Sequence, residues 1–230
     1  MRVALCALVI AGTIAGCGSG GGQGRADTVY DSRPSGVFAS KPPAAPSLIA
    51  LSKAEIDRAL LRLADMPAGF TVDRSRDSQD DSPSGCRKLD ALDNFDVKAP
   101  IKGEVKYKGG AFGPFVDETV AVMGDSAEQL YRSFRDAMQS CHSFRSKNDD
   151  GSYSRGTFEA LSFPNIGDDT FAAQMKIGPV PLVGSAYADF VLVRLGDVFV
   201  LLVTAQVAAP PDGSEFAQLS KKAVHRVKHA

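Results

Sequence analysis

The sequence predicts an α+β domain in which a twisted antiparallel sheet of about five to six strands carries helices packed mainly on one face. Three observations lead there. Residues 101–108 alternate apolar and charged side chains, the mark of a half-buried strand. Residues 186–195 and 198–207 are largely apolar and flank Gly196-Asp197, a two-residue turn of the kind that strand twist favours in a hairpin. Amphipathic stripes at residues 125–141 and 214–228 interrupt and close the strand series, so the order is helix, hairpin, helix, several antiparallel strands, helix.

The chain opens with an export pattern. Arg2 supplies a positive start, residues 3–15 are apolar and uncharged, and small residues close the run. A bilayer span needs roughly 20 apolar residues, so this run reads as a secretory signal rather than an anchor. It ends Ile14-Ala15-Gly16-Cys17. That ending resembles the lipobox of bacterial lipoproteins, in which a diacylglyceryl group is joined to the cysteine by a thioether and the chain is cut just before it. The expectation is a signal peptide over residues 1–16 and a lipid on Cys17 that holds the mature protein outside the cytoplasm on the cell membrane. The alternative is an ordinary signal whose cleavage site contains a cysteine. Acyl chains such as palmitate anchor stably when two or more are present, where one is marginal.

Cys6 falls in the discarded segment and Cys17 carries lipid, which leaves Cys86 and Cys141. A single pair in an exported domain points to a disulfide, worth roughly 4 kcal/mol for a loop of this length; two unpaired thiols are the alternative. The formal net charge of -1 argues against a nucleic-acid partner. Residues 18–24 (GSGGGQG) form a flexible tether, and residues 25–47, with Pro34, Pro42, Pro43 and Pro46 and no hydrophobic period, form a disordered spacer. Residues 17–47 are therefore the lipidated linker and residues 48–230 a single domain.

Within that domain, Ser52 and Glu55 form a capping box, followed by a stripe of Ile56, Ala59, Leu60 and Leu63. The sequence DMPAGF at residues 65–70 breaks the helix and leads to a short extended piece over 70–73. A short helix over 86–92 carries the first disulfide cysteine. Strands over 101–108 and 115–123 follow, joined by a glycine-rich turn. A second capping box, Asp125 with Glu128, opens the long helix, whose stripe is Ala127, Leu130, Phe134, Ala137, Met138 and Cys141. Strands over 153–163, 170–177, 186–195 and 198–207 come next. The final two are apolar on both faces, so both faces are covered or one borders a cavity. Phe216, Leu219, Ala223 and Val227 line the last helix.

This order of elements, the phrase LADMPAGFTV at residues 63–72 and the spaced Cys86 and Cys141 resemble a family of actinobacterial exported domains. The family includes the extracellular sensor domain of mycobacterial PknH-type serine/threonine kinases and free-standing lipoproteins of the cell envelope. The resemblance covers residues 48–228. It implies a twisted antiparallel sheet with helices, one face of which forms a cleft for a ligand. The family's sensor domain carries two disulfides, whereas Cys86 and Cys141 allow one here. No kinase motif is present, so any signalling passes through a separate partner.

Catalytic patterns are incomplete. Gly124-Asp125-Ser126 matches the nucleophile motif of GDS-type hydrolases, but the Asp-x-x-His expected near the C-terminus is missing, since Lys222 stands where the acid would precede His225. His225 and His229 share a helical face at a spacing that binds zinc, without a third ligand. Residues 146–151 (SKNDDG) partly fit a calcium loop yet lack the bidentate carboxylate, Thr157 standing at that position. No cofactor, metal or catalytic residue is expected. Candidate ligand or partner contacts are Tyr107, Lys108, Phe112 and Phe115, read as exposed groups around a hairpin tip. Lys98, Lys102, Lys106 and Lys108 form a basic strand face that suits anionic lipid or cell-wall polymer, or is merely solvated. The expected function is a non-enzymatic sensor or regulatory module that binds a small molecule, a cell-wall component or a protein. The alternatives are a carrier of lipid or another apolar ligand and, further off, a serine hydrolase at Ser126.

Overall fold

A computed structural model describes residues 51–74, 84–93, 99, 101–147, 152–180 and 184–230. The signal peptide, Cys17, the tether and Lys98 lie outside them. Among the described residues, four α-helices, α1 (Lys53–Ala59), α2 (Arg87–Asp93), α3 (Ala127–Ser140) and α4 (Gly213–Lys228), flank one sheet. Its strands are β1 (Thr71–Val72), β2 (Ile101–Lys108), β3 (Phe115–Val122), β4 (Phe144–Lys147), β5 (Tyr153–Ala160), β6 (Asp169–Val180), β7 (Gly184–Leu195) and β8 (Val198–Val207).

The sheet is antiparallel, in the order β1-β2-β3-β8-β7-β6-β5-β4. The first three strands form a meander. Helix α3 then carries the chain to the opposite edge, from which β4 to β8 meander back until β8 pairs with β3. The sheet therefore has eight strands, not five to six. The two additional strands are its edges: β1, two residues long, lies within the short extended piece expected over 70–73, and β4 falls where the sequence predicts no strand.

Helices cover both faces rather than mainly one. Alternate residues of β7 and β8 divide between two cores. Val191, Val193, Val198, Val200 and Leu202 pack with α1 and α4 around Ile56, Leu61, Phe216 and Val224. Phe190, Leu192, Phe199 and Val203 pack on the other face against α2 and α3, around Leu130, Phe134 and Met138. A strand turns successive side chains to opposite faces, so the unbroken apolar runs in β7 and β8 belong to a sheet roofed on both sides.

Local chemistry sets the ends of α1 and α4. The Ser52–Glu55 capping box opens α1, and the Asp212 carboxylate accepts from the N–H groups of Ser214 and Glu215 at the start of α4. Helix α1 stops at Ala59, and Leu63, expected on its buried stripe, is 45% exposed in a 3-10 turn while Leu61 takes the core position. The Asp125–Glu128 box does not form: Asp125 lies in a 3-10 turn, and Ser126 caps α3 without a side-chain bond. At the other end of α3 the sulfurs of Cys86 and Cys141 are bonded, with Cα atoms 5.9 Å apart, and this bond ties α2 to α3.

Candidate functional site

The four residues expected at the hairpin tip do not form one exposed cluster. Tyr107 is buried, 4% exposed, because it stands opposite Val116 on the face covered by α1 and α4. Its hydroxyl donates to Leu61 O at 2.8 Å. Phe115 is partly buried and packs against the core on the opposite face. Lys108 pairs with Asp73 at 3.2 Å. Phe112 alone stays out, at 58% exposure. The turn is held against β8: Val207 N donates to Phe112 O. Gly113, at φ +96°, lies so close to β8 that a Cβ there would meet Ala205 O at 2.9 Å.

The basic face of β2 is internally neutralised. Lys102 and Lys106 pair with Glu104 at 3.3 and 3.0 Å, and Lys106 also meets Asp117 at 3.5 Å. Burial raises the pKa of Glu104, but the two lysines outweigh it and hold this carboxyl below its usual range. That leaves little charge on this strand for an anionic surface.

Beside this strand the sequence reading missed a buried acid. Glu118, in β3, is fully buried, and its Oε2 accepts from Leu61 N at 2.6 Å. With the Tyr107 hydroxyl on Leu61 O, the sheet satisfies both backbone groups of one residue in the segment after α1. Arg226 of α4 completes the junction by donating to the carbonyls of Arg58, Ala59 and Leu60 at 2.7 to 3.1 Å, which α1 leaves unsatisfied at its end. Asp65 sits beside Arg226 and Lys222. Burial pushes the Glu118 carboxyl up to about 7, against the Leu61 hydrogen bond and the Arg226 charge. The signal lay in the alternation Val116, Glu118, Val120, Val122, which puts the acid on an apolar face.

Farther along the same face the helical cover ends and polar groups take over. The cross-strand row Val116, Thr204, Asp189, Gln174 and Glu159 runs from buried to exposed. The next row joins Gln206, Tyr187, Lys176 and Thr157. Asp189 is 2% exposed and accepts from Gln174 Nε2 at 2.8 Å. Burial moves its carboxyl above the usual range, and the Gln174 bond opposes this. Lys176 is exposed and stands 5.6 Å above the Tyr187 ring. The Gln206 amide donates to the carbonyls of Ala209 and Pro210, which folds the loop before α4 back along this end of the sheet. This sheet end thus presents an amide, an ammonium and an aromatic ring over the buried Asp189 carboxyl, a set that suits recognition of a polar ligand with an apolar portion.

Among the described residues, nothing at this end pairs a nucleophile with a base. Ser126 precedes α3 on one face of the sheet, whereas His225 and His229 lie on α4, which covers the other. His142 lies beyond the far end of α3, about 21 Å away along a helix of this length. The rings of His225 and His229 stack on each other with centroids 4.1 Å apart. Among the described residues, no group of three or more His, Cys, Asp or Glu side chains could hold a metal ion. No described helix is long and apolar enough to cross a membrane.

No family model and no curated protein sequence matches the chain. Among solved structures, the extracellular domain of PknH from Mycobacterium tuberculosis superposes with a TM-score of 0.58 at 15% sequence identity. The match covers 78% of this chain and 98% of that domain. The two share a fold. At this identity the likeness concerns architecture alone, and it agrees with the antiparallel sheet and helices that the resemblance implied.

Proposed function

We propose that this chain is a non-enzymatic binding module, held outside the cytoplasm by a lipid on Cys17, that takes its ligand at the open polar end of the sheet. The ligand is a small molecule, a cell-wall component or a segment of another protein, and occupancy is passed to a separate signalling partner. The observation that carries the reading is the row through Thr204, Asp189, Gln174 and Glu159. A carboxyl removed from water costs stability unless it is well paired, and here only an amide answers it. Support comes also from the fold shared with a kinase's extracellular domain and from the export pattern ahead of Cys17.

The test is a ligand screen by thermal shift on the full chain, with native mass spectrometry to find anything co-purified. A genuine ligand stabilises the wild type and loses most of that effect in Lys176→Ala and Tyr187→Ala. Stabilisation that is identical in both variants moves the site elsewhere. The carrier reading is less favoured, since the apolar strands that motivated it are filled on both faces by the protein's own helices. Retained lipid in the mass spectrum would revive it.

A further inference from the structure

At the outer edge of the sheet β4 and β5 set two like charges directly opposite each other. Arg145 and Arg155 are cross-strand partners, so their side chains leave the same face. Both are exposed, and neither makes an ion pair among the described residues. Like charges in this relation destabilise a sheet unless something lies between them. They line an open pocket of about 330 Å³ together with Ser84, Gly85, Ser143 and Tyr153. Arg145 is held in place there: its backbone N–H donates to Ser84 O at 2.7 Å, and its guanidinium stands 5.6 Å from the centre of the Tyr153 ring. Gly85 closes in from the other side at φ +79°, where a Cβ would touch that guanidinium at 3.7 Å. The disulfide ties the two walls together, since Ser84 and Gly85 precede Cys86 while Ser143 and Arg145 follow Cys141.

We infer that this pocket is a phosphate-binding site, distinct from the open end described above and independent of the function proposed for it. Two guanidinium groups carry fixed charge and offer planar forks of donors that match phosphate oxygens. A phosphate group bears nearly two negative charges at neutral pH, which cancels the pair, and the exposed Ser143 in the pocket lining adds a hydroxyl donor. The ligand is a soluble molecule bearing a phosphate group, or the phosphate of a lipid headgroup.

The experiment is a titration of the full chain with inorganic phosphate, followed through the arginine side-chain Nε–H resonances, beside sedimentation with phosphatidylcholine vesicles with and without phosphatidic acid. The site predicts a saturable response at Arg145 and Arg155 that weakens at least roughly tenfold in Arg155→Gln and in Arg145→Gln and stays unchanged in Lys102→Gln. Sedimentation that depends on phosphatidic acid and on both arginines assigns the group to a lipid headgroup. A phosphate response without it assigns a soluble ligand. The absence of a saturable response, or one untouched by either arginine substitution, overturns the site.

Discussion

Glu118 gives the sharpest handle on the energetics. In the unfolded chain its carboxyl titrates near 4.5, and in the folded protein burial moves it to about 7. Between those values the native state keeps a proton that the unfolded state has released, so stability falls as pH rises through this window and levels off above about 7. A difference of about 2.5 pKa units corresponds to roughly 3 kcal/mol. Below pH 4.5 both states are protonated and the penalty vanishes. Glu118→Gln removes the titration and keeps an oxygen able to accept from Leu61 N, so its stability should lack this component. Asp189 has a raised pKa of the same sign and contributes to both proteins, so the difference between them isolates Glu118. Urea denaturation at a series of pH values from 4.5 to 8 measures it. The expected result is a gain of about 3 kcal/mol for the variant relative to wild type across that range. Parallel stability profiles would refute the claim that an ionisable group is buried at this position.

Two further substitutions probe packing and the staple. Gly156 faces Phe144 across the β4–β5 pair, and a Cβ there would clash with the Phe144 ring; Gly156→Ala should cost about 1–3 kcal/mol, read as a lower urea midpoint, and an unchanged midpoint would mean the ring is free to move. Removing the Cys86–Cys141 bond, which closes a loop with a sequence separation of 55, should cost roughly 4 kcal/mol. Denaturation of the Cys86→Ser, Cys141→Ser double variant checks this, and equal stability would show that the bond does not form in the protein.

The central strands were legible because their pattern is local. The alternation over residues 101–108 matches β2, and the apolar run with its Gly196-Asp197 turn matches β7 and β8. The β4 edge was not legible, whereas β1 lies within the extended piece expected over residues 70–73. Phe144–Lys147 has one apolar residue in four, and it becomes a strand because the following β5 and the Ser84 carbonyl, which lies far upstream in the sequence, take up its backbone groups. Helical stripes predict that a face is buried but not which side of a sheet it meets. The placement of α1 and α4 opposite α2 and α3 follows from topology, above all from the crossing of α3 between sheet edges. The tip residues were misjudged for a related reason: period two assigns Tyr107 and Phe115 to opposite faces only once the register of β2 on β3 is known. Asp189 left a trace in the series Tyr187, Asp189, Val191, Val193, as Glu118 did in its own strand. The Arg145–Arg155 pair left none, since it exists only through the pairing of an edge strand that the sequence hid.

A sensor role requires this domain to lie outside the cytoplasm, and the intact mass of the protein recovered from membranes tests that directly. Residues 17–230 carrying a diacylglyceryl group on Cys17, and loss of both that added mass and the membrane association in Cys17→Ser, is the expected outcome. A chain that retains residues 1–16, or one that starts elsewhere and bears no lipid, contradicts it.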